Sequence, residues 1–238
     1  MKVETFSEQV FFNTVKITMY TNDGGKGSGT GFYFEYQGEK DDYCFIVTNK
    51  HVVNKATSGS LSFIRELDGA PDFGSKMQLD FPPDAWAEMW VGHPDPEVDI
   101  AVCSMKLIQN HLKQHAGFPP FLTTIHESTI PTPEQLNQLN ALEEVTFIGY
   151  PDGLWDKTNL LPIARRGTTA TPLQIDFEGK PIFLIDASVF GGSSGSPVFI
   201  LNEGVYSDKY SNVTVGARFY FFGCCSSGSE EKKRLMTL

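Results

Sequence analysis

Short apolar or alternating runs, broken by Gly, Pro, Asn and Asp, recur along all 238 residues. Runs of that length and period read as β-strands rather than helices. In the first part they predict strands over 9–20, 30–36, 42–49, 58–67, 75–81, 86–92 and 99–105. The period then changes. Met105, Ile108, Leu112 and Ala116 fall on one face of a short helix. A second helix is predicted over 132–144. Thr132 is placed to cap it, Pro133 to open it and Gln135 to close a capping box, while Leu136, Leu139 and Leu142 give it an apolar face. Strands resume over 144–150, 160–172, 173–177, 181–190, 196–201 and 213–228. Two strand-rich halves joined by a helix-bearing linker predict an all-β protein. The expected form is two six-stranded antiparallel β-barrels with a cleft between them. The expected boundaries are 1–106 for the first barrel, 107–142 for the linker and 143–238 for the second barrel.

Charge and cysteines narrow the class. A formal net charge of −10 argues against a nucleic-acid partner, because phosphate binding takes a basic face. No apolar stretch is long enough to span a bilayer. Glu4 and Glu8 interrupt any signal-like run in MKVETFSEQVFF. A cytoplasmic protein with no membrane partner is expected. Cys44 and Cys103 sit inside apolar strand runs, and the adjacent Cys224 and Cys225 lack ligand-like spacing. Reduced, buried thiols are expected, with no metal and no other cofactor. The glycine run GGKGSGTG (24–31) fits neither phosphate-loop pattern.

Candidate chemistry centres on GGSSGSPVF (191–199), with Ser193, Ser194 and Ser196 between glycines. Ser193 fits a G-x-S-x-G nucleophile elbow, whose histidine follows the serine in sequence. The five histidines are His51, His93, His111, His115 and His126, and all precede it. The elbow therefore lacks a base. The opposite order, His then Asp then Ser, is available. His51 closes the apolar run CFIVTNKHVV, and Asp99 opens DIAVCSM. An acid entering a buried strand needs hydrogen-bond donors, and orienting an imidazole supplies them. His93 lies in a Pro-rich turn, and the other three histidines lie in the linker. Asp95 and Glu97 lack an apolar strand to anchor them.

TNKHVV, VDIAV and GGSSGSPVF resemble the His, Asp and Ser boxes of chymotrypsin-fold serine peptidases, especially bacterial trypsin-like peptidases of the HtrA type. GSGTGFYF (27–34), FIGYPDGLWD (147–156) and DASVFGGSSGSPV (186–198) extend the resemblance from about Gly27 to Gly228. The resemblance implies Ser194 as nucleophile, His51 as base and Asp99 as the orienting acid. It implies the backbone N–H groups of Gly192 and Ser194 as the oxyanion hole. It places the substrate pocket on Ser188, Val189, Phe190 and Gly191 and on Ser226, Ser227 and Gly228. The expected partner is a polypeptide substrate, cleaved through an acyl-enzyme intermediate. Ser196 stands where the family has glycine, a change expected to be tolerated. Ser193 replaces the acid with which secreted members bind a freshly cut N-terminus, so activation by that cleavage is not expected. Ser188, at the pocket base, argues against strict preference for basic residues. The Arg165-Arg166 pair reads as a strand end, with a smaller case for a substrate-facing role. SEEKKRLMTL is too short for the strand and helix that usually follow in the family, which leaves a pocket open on one side or a chain cut from something longer. The alternative function is a catalytically silent peptide-binding module on the same fold.

Overall fold

A computed structural model describes residues 1–115, 118–152, 154–227 and 233–236. Ala116 and Gly228 lie outside the described residues. The strands of the first half are β1 (Thr14–Tyr20), β2 (Lys26–Gln37), β3 (Asp42–Thr48), β4 (Ser58–Leu67), β5 (Ala70–Phe81), β6 (Val91–Gly92), β7 (Ala101–Ser104), β8 (Pro120–Phe121) and β9 (Ile125–His126). Those of the second half are β10 (Glu144–Gly149), β11 (Ile163–Thr169), β12 (Ile182–Asp186), β13 (Pro197–Ser207), β14 (Val213–Ser227) and β15 (Lys233–Met236). Among the described residues five short α-helices intervene, α1 (Phe6–Gln9), α2 (Lys50–Val53), α3 (Pro83–Met89), α4 (Met105–His115) and α5 (Pro133–Leu136), with one 3-10 turn at Glu127–Thr129.

The all-β architecture of two mostly antiparallel units is the one expected. The first sheet is larger than six strands. Among the described residues it holds nine, in the order β5-β4-β1-β2-β3-β7-β6, with β8 on β4 and β9 on β2. The second is a closed circuit, β10-β11-β12-β15-β14-β13. Within SEEKKRLMTL, residues Lys233–Met236 form its β15, paired with both β12 and β14.

Several elements differ from the predicted pattern. The segment 86–92 is not one strand. Pro83 at the first helical turn starts α3, which packs Trp86 into the core with its indole N–H on the Val53 carbonyl at 3.2 Å. Only Val91–Gly92 is extended. The helix predicted over 132–144 stops at Leu136. Its Thr132–Gln135 capping box is present, and Leu139 is buried, but Leu142 is 66% exposed. The segment 173–177 forms no ladder; it runs into a tight turn where Glu178 and Gly179 both take positive φ, 56° and 71°. Capping by Thr5 and Glu8 turns the start of the chain into α1.

Alternation along the strands sorts four packed clusters among the described residues, the smallest of them Phe12, Ile64, Tyr150 and Leu160. Val15, Ile17, Ile46, Leu61, Phe63 and Met105 fill the first unit. Val145, Phe147, Ile185, Val198 and Phe222 fill the second. A third cluster joins them: Phe32, Val47 and Ile100 from one side meet Ile148, Phe199, Phe221 and Cys224 from the other. Burying those faces together fixes how the units sit, because apolar area removed from water is the largest favourable contribution. The cleft that results brings the ends of β3 and β7 against the turn before β13.

Candidate active site

His51 is carried by α2, the single turn that follows β3. Asp99 lies just before β7, which pairs with β3 through Thr48↔Ala101. That pairing sets the two side by side. The His51 backbone N–H donates to Asp99 Oδ1 at 2.9 Å, and the ring Nδ1 stands 2.5 Å from Asp99 Oδ2. The Lys50 N–H and the Asn49 side chain both donate to the Asp99 carbonyl, at 3.3 and 2.9 Å. Ser226 Oγ donates to Asp99 Oδ2 at 3.3 Å. Burial opposes ionisation of Asp99. The His51 side chain, the His51 backbone N–H, the His51 charge and Ser226 outweigh it and hold the carboxyl below the usual Asp range. On the far side of the ring, Nε2 stands 2.9 Å from Ser194 Oγ. The structure thus joins Ser194, His51 and Asp99 in one hydrogen-bonded line, two groups from the first unit and one from the second.

The turn carrying Ser194 is wedged between β2 and β14. The Thr30 N–H donates to the Ser194 carbonyl at 2.9 Å, and the Gly195 N–H donates to the Cys225 carbonyl at 2.8 Å. Thr30 Oγ1 donates to the Gly192 carbonyl at 3.0 Å and accepts from the Tyr150 N–H at 2.9 Å. Gly192 and Gly195 take φ of +78° and +84°. A Cβ at Gly195 would lie 1.9 Å from the Thr30 carbonyl oxygen, and one at Gly192 would lie 2.5 Å from the Tyr150 carbonyl oxygen. Only glycine fits either place. Ser196 is buried, and its hydroxyl has room because position 149 is glycine: a Cβ there would lie 2.1 Å from Ser196 Oγ.

Ser193 does not face the cleft. It is buried, and its Oγ accepts from Arg165 at 2.7 Å and from the Phe190 N–H at 3.2 Å. Arg165 also donates to the Ser188 carbonyl at 3.1 Å and lies over the rings of Phe147 and Phe190, 4.7 and 5.7 Å from their centres. Burial lowers its pKa, opposed by Cys225. No ion pair to Arg165 occurs among the described residues. The guanidinium therefore braces both ends of the loop 188–193. From sequence, Arg165 reads first as a strand end and second as substrate-facing; its bracing role was not legible, because its cross-strand partner Phe147 and the loop it reaches are distant in the chain. Thr30 was likewise hidden inside a glycine run.

The remaining candidates separate. Val189 packs on the second core, and Phe190 is 54% exposed. Gly191 accepts from the Asp152 N–H at 2.7 Å. Ser226 and Ser227 end β14, and Ser226 stands beside Asp99. His93 accepts from the Asp95 N–H, His126 binds Ser128, and Glu97 pairs with Lys180. Among the described residues no group of three or more His, Cys, Asp or Glu could hold a metal, and no helix is long and apolar enough to cross a membrane.

Residues 29–205 match the family model described as a trypsin-like peptidase domain. A glutamyl endopeptidase of Staphylococcus epidermidis is 28% identical over 205 residues, 86% of this chain and 61% of that one. The chain thus spans less than two thirds of that relative's length. A mutant of the Tobacco Etch Virus protease superposes with a TM-score of 0.53 at 13% identity, covering 99% of this chain and 78% of its own. A scabies mite inactivated protease paralogue superposes with a TM-score of 0.52 at 13% identity, covering 96% and 92%. Both likenesses concern the fold.

Proposed function

The chain belongs to the trypsin-like peptidase domain family, and from that premise we propose that it is a serine endopeptidase working through Ser194, His51 and Asp99. One observation carries the proposal: Ser194 Oγ, His51 Nε2 and His51 Nδ1 with Asp99 Oδ2 are in line at 2.9 and 2.5 Å. A serine hydroxyl is a poor nucleophile at neutral pH. As Ser194 Oγ attacks the carbonyl carbon, His51 Nε2 takes its proton. Asp99 holds the imidazole with Nδ1–H toward itself and stabilises the imidazolium. The carbonyl oxygen becomes an oxyanion, for which the Gly192 and Ser194 N–H groups are the proposed donors, each worth about 10²–10³ in rate. Collapse of the tetrahedral intermediate breaks the C–N bond, and His51 returns its proton to the departing amine. Water then enters, loses a proton to His51, and releases the acyl group from Ser194.

The name of the staphylococcal relative points to an acidic residue before the cut bond. Arg165 supports that reading here. It is a half-buried cation on the Ser188–Phe190 wall, and Ser188 itself is neutral. Free thiols at Cys44, Cys103 and Cys224 support a reducing compartment, and a cytoplasmic location is part of the proposal. A cleavage-site profile on a peptide library tests the reading. Cuts after Glu or Asp, absent from Ser194→Ala, are expected. Cuts that persist in that variant would overturn the assignment of the nucleophile, and a profile centred on Lys or Arg would overturn the pocket.

A further inference from the structure

A cavity of about 370 Å³ opens on the outer face of the first sheet, lined among others by Lys16, Lys26, Lys76, Gln78, Ser62 and Trp155. Three lysines share it in a chain whose net charge is −10. None of the described lining residues is a carboxylate, and none of the three lysines is within ion-pair distance of one. Lys16 is half-buried. Its Nζ donates to Thr18 at 2.8 Å and lies 5.2 Å from the centre of the Trp155 ring. Burial first and Lys26 second lower its pKa, while Asp152 alone opposes them. Lys26 stands over Tyr20, and Lys76 donates to the Lys157 carbonyl. Each ammonium has three donors, so hydrogen-bonding capacity remains at all three. Clustered cations that repel one another, with no carboxylate at ion-pair distance among the described residues, are set up for an anion brought from outside.

The register places this cavity against the nucleophile turn. Across β2, β1, β4 and β5 the pairs Thr30↔Lys16, Lys16↔Ser62 and Ser62↔Gln78 form one row on one face. Thr30, at the end of that row, holds the Gly192 carbonyl and bonds the Ser194 carbonyl. The other wall, Trp155 and Leu160, follows Asp152, whose carboxylate is hydrogen-bonded to Ser28 and whose N–H holds Gly191. Substrate paired with β14 on the acyl side of Ser194 would carry its departing half across β2, toward these lysines. We propose that the basin binds an acidic side chain of a polypeptide substrate, C-terminal to the cut bond. This rests on the peptidase reading above.

The test uses quenched peptides that differ only in carrying Glu or Ala at the second to fourth positions after the cut. Wild type should cleave the acidic peptide at least ~10-fold more efficiently in kcat/KM at about 20 mM salt, and screening should erase most of that ratio by about 0.5 M. The ratio should fall to ~2 or less in a Lys16→Gln, Lys26→Gln, Lys76→Gln variant. The exposed pair Lys26→Gln, Lys76→Gln, which leaves half-buried Lys16 in place, should lower it partway. Equal cleavage of both peptides, or a ratio that the substitutions and salt leave unchanged, overturns the proposal. Fluorescence polarisation with Ser194→Ala and the same peptides separates the two readings. Tighter, salt-sensitive binding of the acidic peptide by a chain whose wild type cleaves nothing keeps the basin and sinks the peptidase. Cleavage of both peptides with equal binding keeps the peptidase and sinks the basin.

Discussion

Asp99 shows how a single side chain ties chemistry to stability. Its folded pKa lies below the ordinary Asp value of about 3.9, so its contribution is fully present above that pH. The contribution is lost as pH falls below about 3.9 and through the folded pKa. Replacing Asp99 with Asn should flatten this part of the acid limb in a pH series of urea midpoints. It should also cut kcat by about 10⁴, because the imidazole then settles in the wrong tautomer. Arg165 is the second instructive residue. Arg165→Met keeps the stem but removes the donors to Ser188 and Ser193. It should lower kcat on every peptide by loosening the turn that carries Ser194, and abolish preference for acidic residues before the cut. Arg165→Lys should recover part of both losses. An unchanged profile in Arg165→Met would free this residue from the pocket. His51 and Asp99 were legible as polar residues beside apolar strands, in the right order before a serine cluster, whereas Ser194 was singled out from its neighbours only by the family resemblance. Arg165 and Thr30 were not, because their roles arise from partners 28 and 162 residues away in sequence.

At the level of elements, period and turn residues located most strands, and β4 matches the expected segment end to end. The pattern failed where local sterics or tertiary contacts decided the matter. Apolar residues at 86–92 look strand-like, yet Pro83 and the socket for Trp86 make a helix there. Leucines at 136, 139 and 142 have helical spacing, yet the chain turns away after Leu136 so that Glu143 can enter the second unit. There Glu143 forms a buried pair with Arg218 of β14 at 2.7 Å, and Arg218 also donates to Asn202 at 2.8 Å. Breaking such a pair leaves a buried, uncompensated charge. Glu143→Ala should therefore destabilise the fold by about 3–5 kcal/mol. Urea unfolding measures it, and a loss below about 1 kcal/mol would show that water reaches Arg218 easily.

Across the whole molecule, the site exists only where two sheets meet. Phe221 packs at that junction against Phe32, Phe34 and Phe199. Phe221→Ala should cost about 3–5 kcal/mol, and activity and fold should be lost together in one transition, since the same contacts hold His51 against Ser194. Separate transitions, seen by calorimetry, would mean the halves fold independently. Two sheets and their order were readable from the strand pattern, whereas the cluster joining them was not, because inward and junction-facing residues are equally apolar. If this junction activates Ser194, a fluorophosphonate probe read by intact mass should find that serine and no other. Wild type should gain one adduct, mapped to Ser194, with none on Ser194→Ala and labelling slowed at least ~10³-fold on His51→Ala. A wild-type chain that stays unlabelled, or an adduct that survives Ser194→Ala, would contradict it.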